Sequence, residues 1–212
     1  MRKFIYLISL AVFVSFTGCV QQNGKPATKK EPKPLKIESF INSFISTHPK
    51  MFQNDIFKED ADKDFANGFI DRLKSDNLLE GYPMELRTMT KNNGRNMAMF
   101  SNHFNPDNFY YLYGIYQIRV DVIGAVSDSI VNILQEDKHY IISGHYIKRF
   151  FHTDEFFRTL GKGVLPYNNE VIITKGSLGY EVDLGMLQFE IDDVKPFKGR
   201  EMVEVPLDNK TK

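Results

Sequence analysis

Y-Q-I-R-V-D-V-I-G-A-V, Tyr116 to Val126, alternates without a break. Tyr116, Ile118, Val120, Val122, Gly124 and Val126 point one way, and Gln117, Arg119 and Asp121 point the other. A period of two marks a β-strand with one face in a core. The chain therefore holds a sheet, and the neighbouring segments decide what kind.

Downstream, Ile130 to Leu134 and His139 to Phe151 read as further strands, with a bulge or bend at Ser143-Gly144. Thr153 to Leu160 reads as a short helix capped by Thr153 and stopped near Gly161. Val171 to Lys175, Tyr180 to Leu184 and Leu187 to Val194 follow as strands. In the last, Leu187, Phe189 and Ile191 alternate with Gln188, Glu190 and Asp192. The tail after Pro206 is expected to fray.

Upstream, Met84 to Phe100 reads as a hairpin. Asn93-Gly94 is the favoured pair for a type I′ turn. That turn sets Thr90 against Met97 and Thr88 against Met99. Met84, Leu86, Met97 and Met99 then share one face.

Before the hairpin the period changes. Ile37, Phe40, Ile41, Phe44 and Ile45 recur at helical spacing, and His48-Pro49 ends the run. A second helix is expected from about Asp55 to Ser75, with Asp55 as N-cap. Its apolar face is Ile56 or Phe57, then Ala61, Phe65, Phe69 and Leu73. Gly68 weakens it by ~1 kcal/mol relative to alanine. The expected class is α+β: N-terminal helices packed on an antiparallel sheet.

From Tyr116 onward the order is three strands, a short helix, then two or three strands, with a glycine inside the first. On V-I-G-A-V-S, V-I-I-T-K-G-S and L-Q-F-E-I-D-D-V it resembles the OB-fold, a small Greek-key barrel, of the tRNA-anticodon-like group. The resemblance covers residues 116–197. It implies a helix between the third and fourth strands and a ligand face on the second and third. On the strand assignments above, that face includes Tyr146, Lys148 and Arg149.

The start of the chain is an address. Arg2 and Lys3 precede an apolar run from Phe4 to Phe16, shorter than the ~20 residues a membrane span needs. Basic start, apolar run and small residues have the form of a secretory signal. Phe16-Thr17-Gly18-Cys19 resembles a bacterial lipobox, with Phe16 in place of the usual Leu. The resemblance implies cleavage before Cys19, lipid on that cysteine, and anchoring to a membrane of the bacterial cell envelope. Val20, where an Asp often retains such proteins at the inner membrane, implies the outer membrane facing the periplasm. Cys19 is the single cysteine, so a lipidated mature chain makes no disulfide. About 175 residues follow the tether, enough to bury a core without one.

The expected organisation is a signal peptide over 1–18, a flexible tether over 19–36 and one α+β domain over 37–205. The helical front spans 37–80 and the strand-rich part 84–197. The tether is polar, basic and broken by prolines, with little to bury. The chain has 27 Lys/Arg and 27 Asp/Glu; residues 1–36 hold seven and one, leaving 20 against 26. The body is thus acidic, which disfavours nucleic acid as a partner.

No G-x-S-x-G, S-x-x-K or H-E-x-x-H occurs. Ser143, His145 and Asp154 can be named as a triad, but a chain of this length offers many such trios. His139 and His145 lie ~20 Å apart along a strand, too far to share a metal ion. Asp60, Asp62 and Asp64 mimic the start of a calcium loop, but Phe65 stands where that loop needs glycine. Leu160-Gly-Lys-Gly163 is better explained as a helix stop than as a phosphate loop. No metal and no cofactor is implied.

Phe109-Tyr-Tyr-Leu-Tyr-Gly-Ile-Tyr116 places five aromatics in eight residues. Either the strand is buried on both sides, or Tyr110, Tyr111 and Tyr113 are partly exposed and suited to recognition. The expected function is a non-enzymatic binding module for an envelope protein or small ligand. The alternative is a hydrolase acting on envelope glycans or peptides through a pair of carboxylates.

Overall fold

The alternating stretch lies in a twelve-residue strand, Ile115–Val126. The computed structural model describes residues 28–102, 115–149, 171–177 and 179–206. In chain order the elements are β1 (Thr28–Pro32), α1 (Lys36–Thr47), α2 (Asp55–Asp76), β2 (Pro83–Asn92), β3 (Arg95–Asn102), β4 (Ile115–Val126), α3 (Asp128–Val131), β5 (His139–Arg149), β6 (Ile172–Lys175), β7 (Tyr180–Pro196) and β8 (Met202–Pro206). The class is α+β with a mostly antiparallel sheet.

The chain divides into two units. The smaller comprises residues 1–31 and 202–212, and its described part is a two-stranded sheet of β1 and β8. Thr28–Pro32, inside the segment expected as a flexible tether, is thus a strand. The larger unit, Pro32–Glu201, contains every described residue of the hydrophobic core.

Within the larger unit α1 buries Ile37 and Ile41, while Phe40, Phe44 and Ile45 pack partly against the same core. The helix ends at His48, whose N–H donates to the Phe44 carbonyl at 3.1 Å and whose ring stacks on Phe44. α2 buries Ala61, Phe65, Phe69 and Leu73, one residue per turn. Its N-cap is Asn54 rather than Asp55: Phe57 N–H donates to Asn54 Oδ1 at 2.9 Å. Phe65 holds the two helices together through Phe40 and Phe44, at ring separations of 5.3 and 4.9 Å.

β2 and β3 form the expected hairpin about Asn93-Gly94, with Thr90 opposite Met97 and Thr88 opposite Met99. The shared face differs from the expectation. A bulge between Leu86 and Thr88 sets Leu86 opposite Phe100, which exchanges the faces beyond Arg87. Met84, Leu86, Ala98 and Phe100 therefore lie in the core, with Met89 packed against it. Met97 and Met99 stand on the other side.

β4 pairs antiparallel with β3 and parallel with β7, so the sheet departs from a purely antiparallel one at that pair. β2 also pairs with β5, and β5 with β7. The pairing thus runs β2–β3–β4–β7–β5 and returns to β2, with β6 added beside the first half of β7. Ile118, Val120, Val122 and Val126 are in the core as expected. Asp121, expected on a polar face, is fully buried as well, beside Ser101 of β3 and Met186 of β7.

Ile130–Leu134, read as a strand, belongs to α3 and the turn after it. Ser127 caps α3: Ile130 N–H donates to Ser127 Oγ at 3.3 Å. Ile130 and Leu134 are both buried and four apart, a helical spacing. Tyr180–Leu184 and Leu187–Val194, read as two strands, are one strand of 17 residues. It is interrupted at Gly185, where φ is +70° and the N–H bonds Asp183 Oδ1 at 2.9 Å. The bulge at Ser143-Gly144 occurs as expected. The helix expected over Thr153 to Leu160 and the tail after Pro206 lie outside the described residues.

Candidate functional site

Cys19, Tyr110, Tyr111 and Tyr113 lie outside the described residues. Tyr146, Lys148 and Arg149 share β5, but a register shift between Tyr146 and Lys148 breaks the alternation there. Tyr146 turns to the core and meets Phe189 edge to face, ring centroids 6.1 Å apart. Burial pushes its hydroxyl above the usual tyrosine range, and nearby Arg149 partly opposes this. Lys148 is exposed. Arg149 lies along β7, its Nε and Nη2 each 3.3 Å from where a side chain on Gly185 would begin. Tyr146 and Arg149 are therefore neighbours.

A pocket of about 480 Å³ opens elsewhere in the larger unit. One wall is Lys33-Pro34-Leu35-Lys36, the entry to α1. The opposite wall is Phe197-Lys198-Gly199-Arg200-Glu201, which follows β7. Glu80, Gly81 and Ile141 complete the lining.

The two walls are tied together. Lys33 N–H donates to the Glu201 carbonyl at 2.8 Å, and Lys33 Nζ meets Glu201 Oε2 at 2.9 Å. Arg200 donates through Nη1 and Nη2 to the two oxygens of Glu38, both at 2.7 Å, and through Nη2 to the Lys33 carbonyl. Glu38 Oε2 also accepts from Leu35 N–H at 2.8 Å, as a residue in the first turn of a helix does in a capping box. The side chains of Arg200 and Glu38 are 5% and 0% exposed. A two-pronged guanidinium–carboxylate contact fixes direction as well as distance, so the Arg200 wall is rigidly placed.

The rest of the lining is more open. Lys36 Nζ reaches Glu80 at 2.8 Å and Asp76 at 3.0 Å. Hydrogen bonds to Glu80 and then Asp76 raise its pKa, so it remains a cation. Lys198 is exposed and pairs with no carboxylate among the described residues. Pro34, Leu35, Ile141 and Phe197 supply apolar surface, and Phe197 is held by its N–H to the His139 carbonyl at 2.9 Å.

The lining holds four cations and two carboxylates, and both carboxylates are engaged by lysines. Among the described residues the lining includes no serine, threonine, cysteine, histidine or tyrosine. Such a set can bind and orient a charged or amphipathic group. Among the described residues no three His, Cys, Asp or Glu side chains are grouped to hold a metal ion.

None of these pocket residues was singled out from sequence. The usable signal was a pair of short basic-apolar segments, K-P-L-K at Lys33–Lys36 and P-F-K-G-R at Pro196–Arg200, in an otherwise acidic body. They are some 160 positions apart, and alternation says nothing about loops that meet. Comparison with protein-family models, with curated proteins and with solved structures gives no match.

Proposed function

We propose that the chain is a bacterial envelope lipoprotein, anchored through lipid on Cys19, whose body is a non-enzymatic binding module for a small ligand or an envelope protein. The pocket between the Lys33–Lys36 and Phe197–Glu201 segments carries the binding half of this reading. Its volume lies within the ~300–1,000 Å³ of ordinary ligand sites. Its lining sets four cations and two carboxylates beside apolar surface, on a frame fixed by the Arg200–Glu38 pair. The lipobox-like Phe16-Thr-Gly-Cys19 and the basic, apolar start of the chain support the anchor.

We further read the ring of β2, β3, β4, β7 and β5 as an OB-like barrel, counted from Pro83 rather than from Tyr116. The helix between its third and fourth strands is then α3. The ligand face that this resemblance implies, on the second and third strands, falls on β3 and β4. Met99, Ser101, Asp121 and Ile123 are buried there. The pocket lies elsewhere, and fold analogy alone does not assign a function.

The anchor is tested by labelling cells with a clickable palmitate analogue and fractionating them. The native protein should carry the label and sediment with membranes, and the Cys19→Ala protein should do neither. A Cys19→Ala protein that is still labelled and membrane-bound removes the anchor from the reading. In-cell crosslinking then separates the two classes of partner: one dominant captured protein makes the body an assembly component.

A further inference from the structure

We propose that the pocket takes a small amphipathic anion, a monocarboxylate with an apolar body, seated with its carboxylate at Lys198. The inference rests on the binding-module reading and names the ligand class for it.

Charge is the first ground. Residues 37–212 carry 20 cations against 26 anions, so the long-range field of the body repels an anion. The pocket departs from that balance: Lys33, Lys36, Lys198 and Arg200 meet four carboxylates, Glu80 and Glu201 in the lining and Glu38 and Asp76 bound to Arg200 and Lys36, so it is neutral where the body is acidic. A small anion is therefore repelled less here than by the acidic surface as a whole.

The lining also ranks its cations. Arg200 is committed to buried Glu38, Lys36 to Glu80 and Asp76, and Lys33 to Glu201. Lys198 is the lining cation that pairs with no carboxylate among the described residues. Its neighbour Gly199 has φ of +106°, and a side chain there would meet nothing within 4 Å, so ligand approaches this turn without obstruction. One available ammonium suits one negative charge better than a multiply charged phosphate, which seeks several donors.

The apolar surface supplies the rest. Leu35, Pro34, Ile141 and Phe197 offer one ring and three aliphatic groups. A purely polar anion would leave them wet. A ligand with an aromatic or branched aliphatic body gains roughly 25 cal/mol for each Å² it covers.

The test uses the mature chain, residues 19–212 with Cys19→Ala in place of the lipidated residue, labelled with ¹⁵N, and two probes of equal shape: 2-naphthoate and its neutral counterpart 2-naphthalenemethanol. Naphthoate should shift the amides of Gly81, Ile141 and Phe197–Arg200 saturably, and the alcohol should do so more weakly. Lys198→Glu should weaken naphthoate by about fivefold, the effect of ~1 kcal/mol at an exposed charge. It should leave the alcohol unchanged. Lys175→Glu, on β6, should change neither. Phe197→Ala should weaken both. Equal binding of the two probes, or no effect of Lys198→Glu, overturns the anionic ligand while the pocket stands. Saturable shifts of neither probe at these amides overturn the pocket as well.

Discussion

Three glycines show how much a single missing side chain decides. Gly94 sits at φ +78° in the β2–β3 turn, where open space surrounds it and only the backbone conformation demands glycine. Gly124 lies inside β4, and a Cβ there would come within 2.5 Å of the Phe189 carbonyl oxygen and 2.6 Å of Ile191 Cγ1. The parallel neighbour β7 can approach only because position 124 is bare. Gly68 differs from both: a Cβ would meet Phe40 at 3.6 Å, an ordinary contact between α1 and α2. Gly68→Ala should therefore stabilise the protein, by up to ~1 kcal/mol from helix propensity and reduced freedom of the unfolded chain. Gly124→Ala should destabilise it by ~3 kcal/mol, since the obstacle is a backbone oxygen of a paired strand. Urea midpoints for the two variants should move in opposite directions. A shift in the same direction would mean that these approach distances do not govern either site.

The elements that sequence periodicity could see are those with one uninterrupted period. α1, with five apolar residues at helical spacing, ends within a residue of the expected place. β4 was legible for the same reason. Where the period is broken by one residue, the reading fails in a specific way. The bulge at Arg87 left the pairing of Thr88 with Met99 correct but reversed the face of Met97 and Met99. Apolar residues between Ile130 and Leu134 mimic a strand, although Ser127 and the four-residue spacing describe a capped turn of helix. Gly185 divided in sequence what pairing with β4 keeps as one strand. The pocket was illegible because it is made by two loops with no period at all. N-caps belong to the same class of local signal, one short polar side chain that alternation does not register. Asn54 accepts from Phe57 N–H, although Ile56 and Phe57 beside it are exposed. Asn54→Ala should cost ~1 kcal/mol, read as a lower urea midpoint with an unchanged slope. Asp55→Ala should cost less, because Asp55 lies inside the first turn and is not the cap. The reverse order would return the cap to Asp55.

At the scale of the whole chain, the unit that contains the core ends at Glu201, and the last short segment before that end is a structural clamp as well as a pocket wall. Among the described residues, every member of the hydrophobic core lies between Ile37 and Val194. No described residue beyond Glu201 contributes to it, and a two-stranded sheet such as β1–β8 is marginal by itself. A chain that stops at Met202 should therefore keep the stability of the larger unit. A chain that stops at Phe197 loses five more residues, none of them in the described core, and should nonetheless lose ~3–5 kcal/mol. The reason is Glu38. Its carboxylate is fully buried, and removal of Arg200 leaves that charge with Leu35 N–H as its remaining described donor. Glu38→Gln placed in the shorter chain should recover part of the loss, because a neutral amide costs less to bury than an unpaired carboxylate. Arg200→Met in the full-length chain should reproduce most of it. Urea unfolding of the four proteins, followed by circular dichroism, decides the matter. If the chains ending at Met202 and at Phe197 unfold at the same midpoint, the buried pair is not what fastens the C-terminal segment to α1, and the rigid wall assigned to the pocket goes with it.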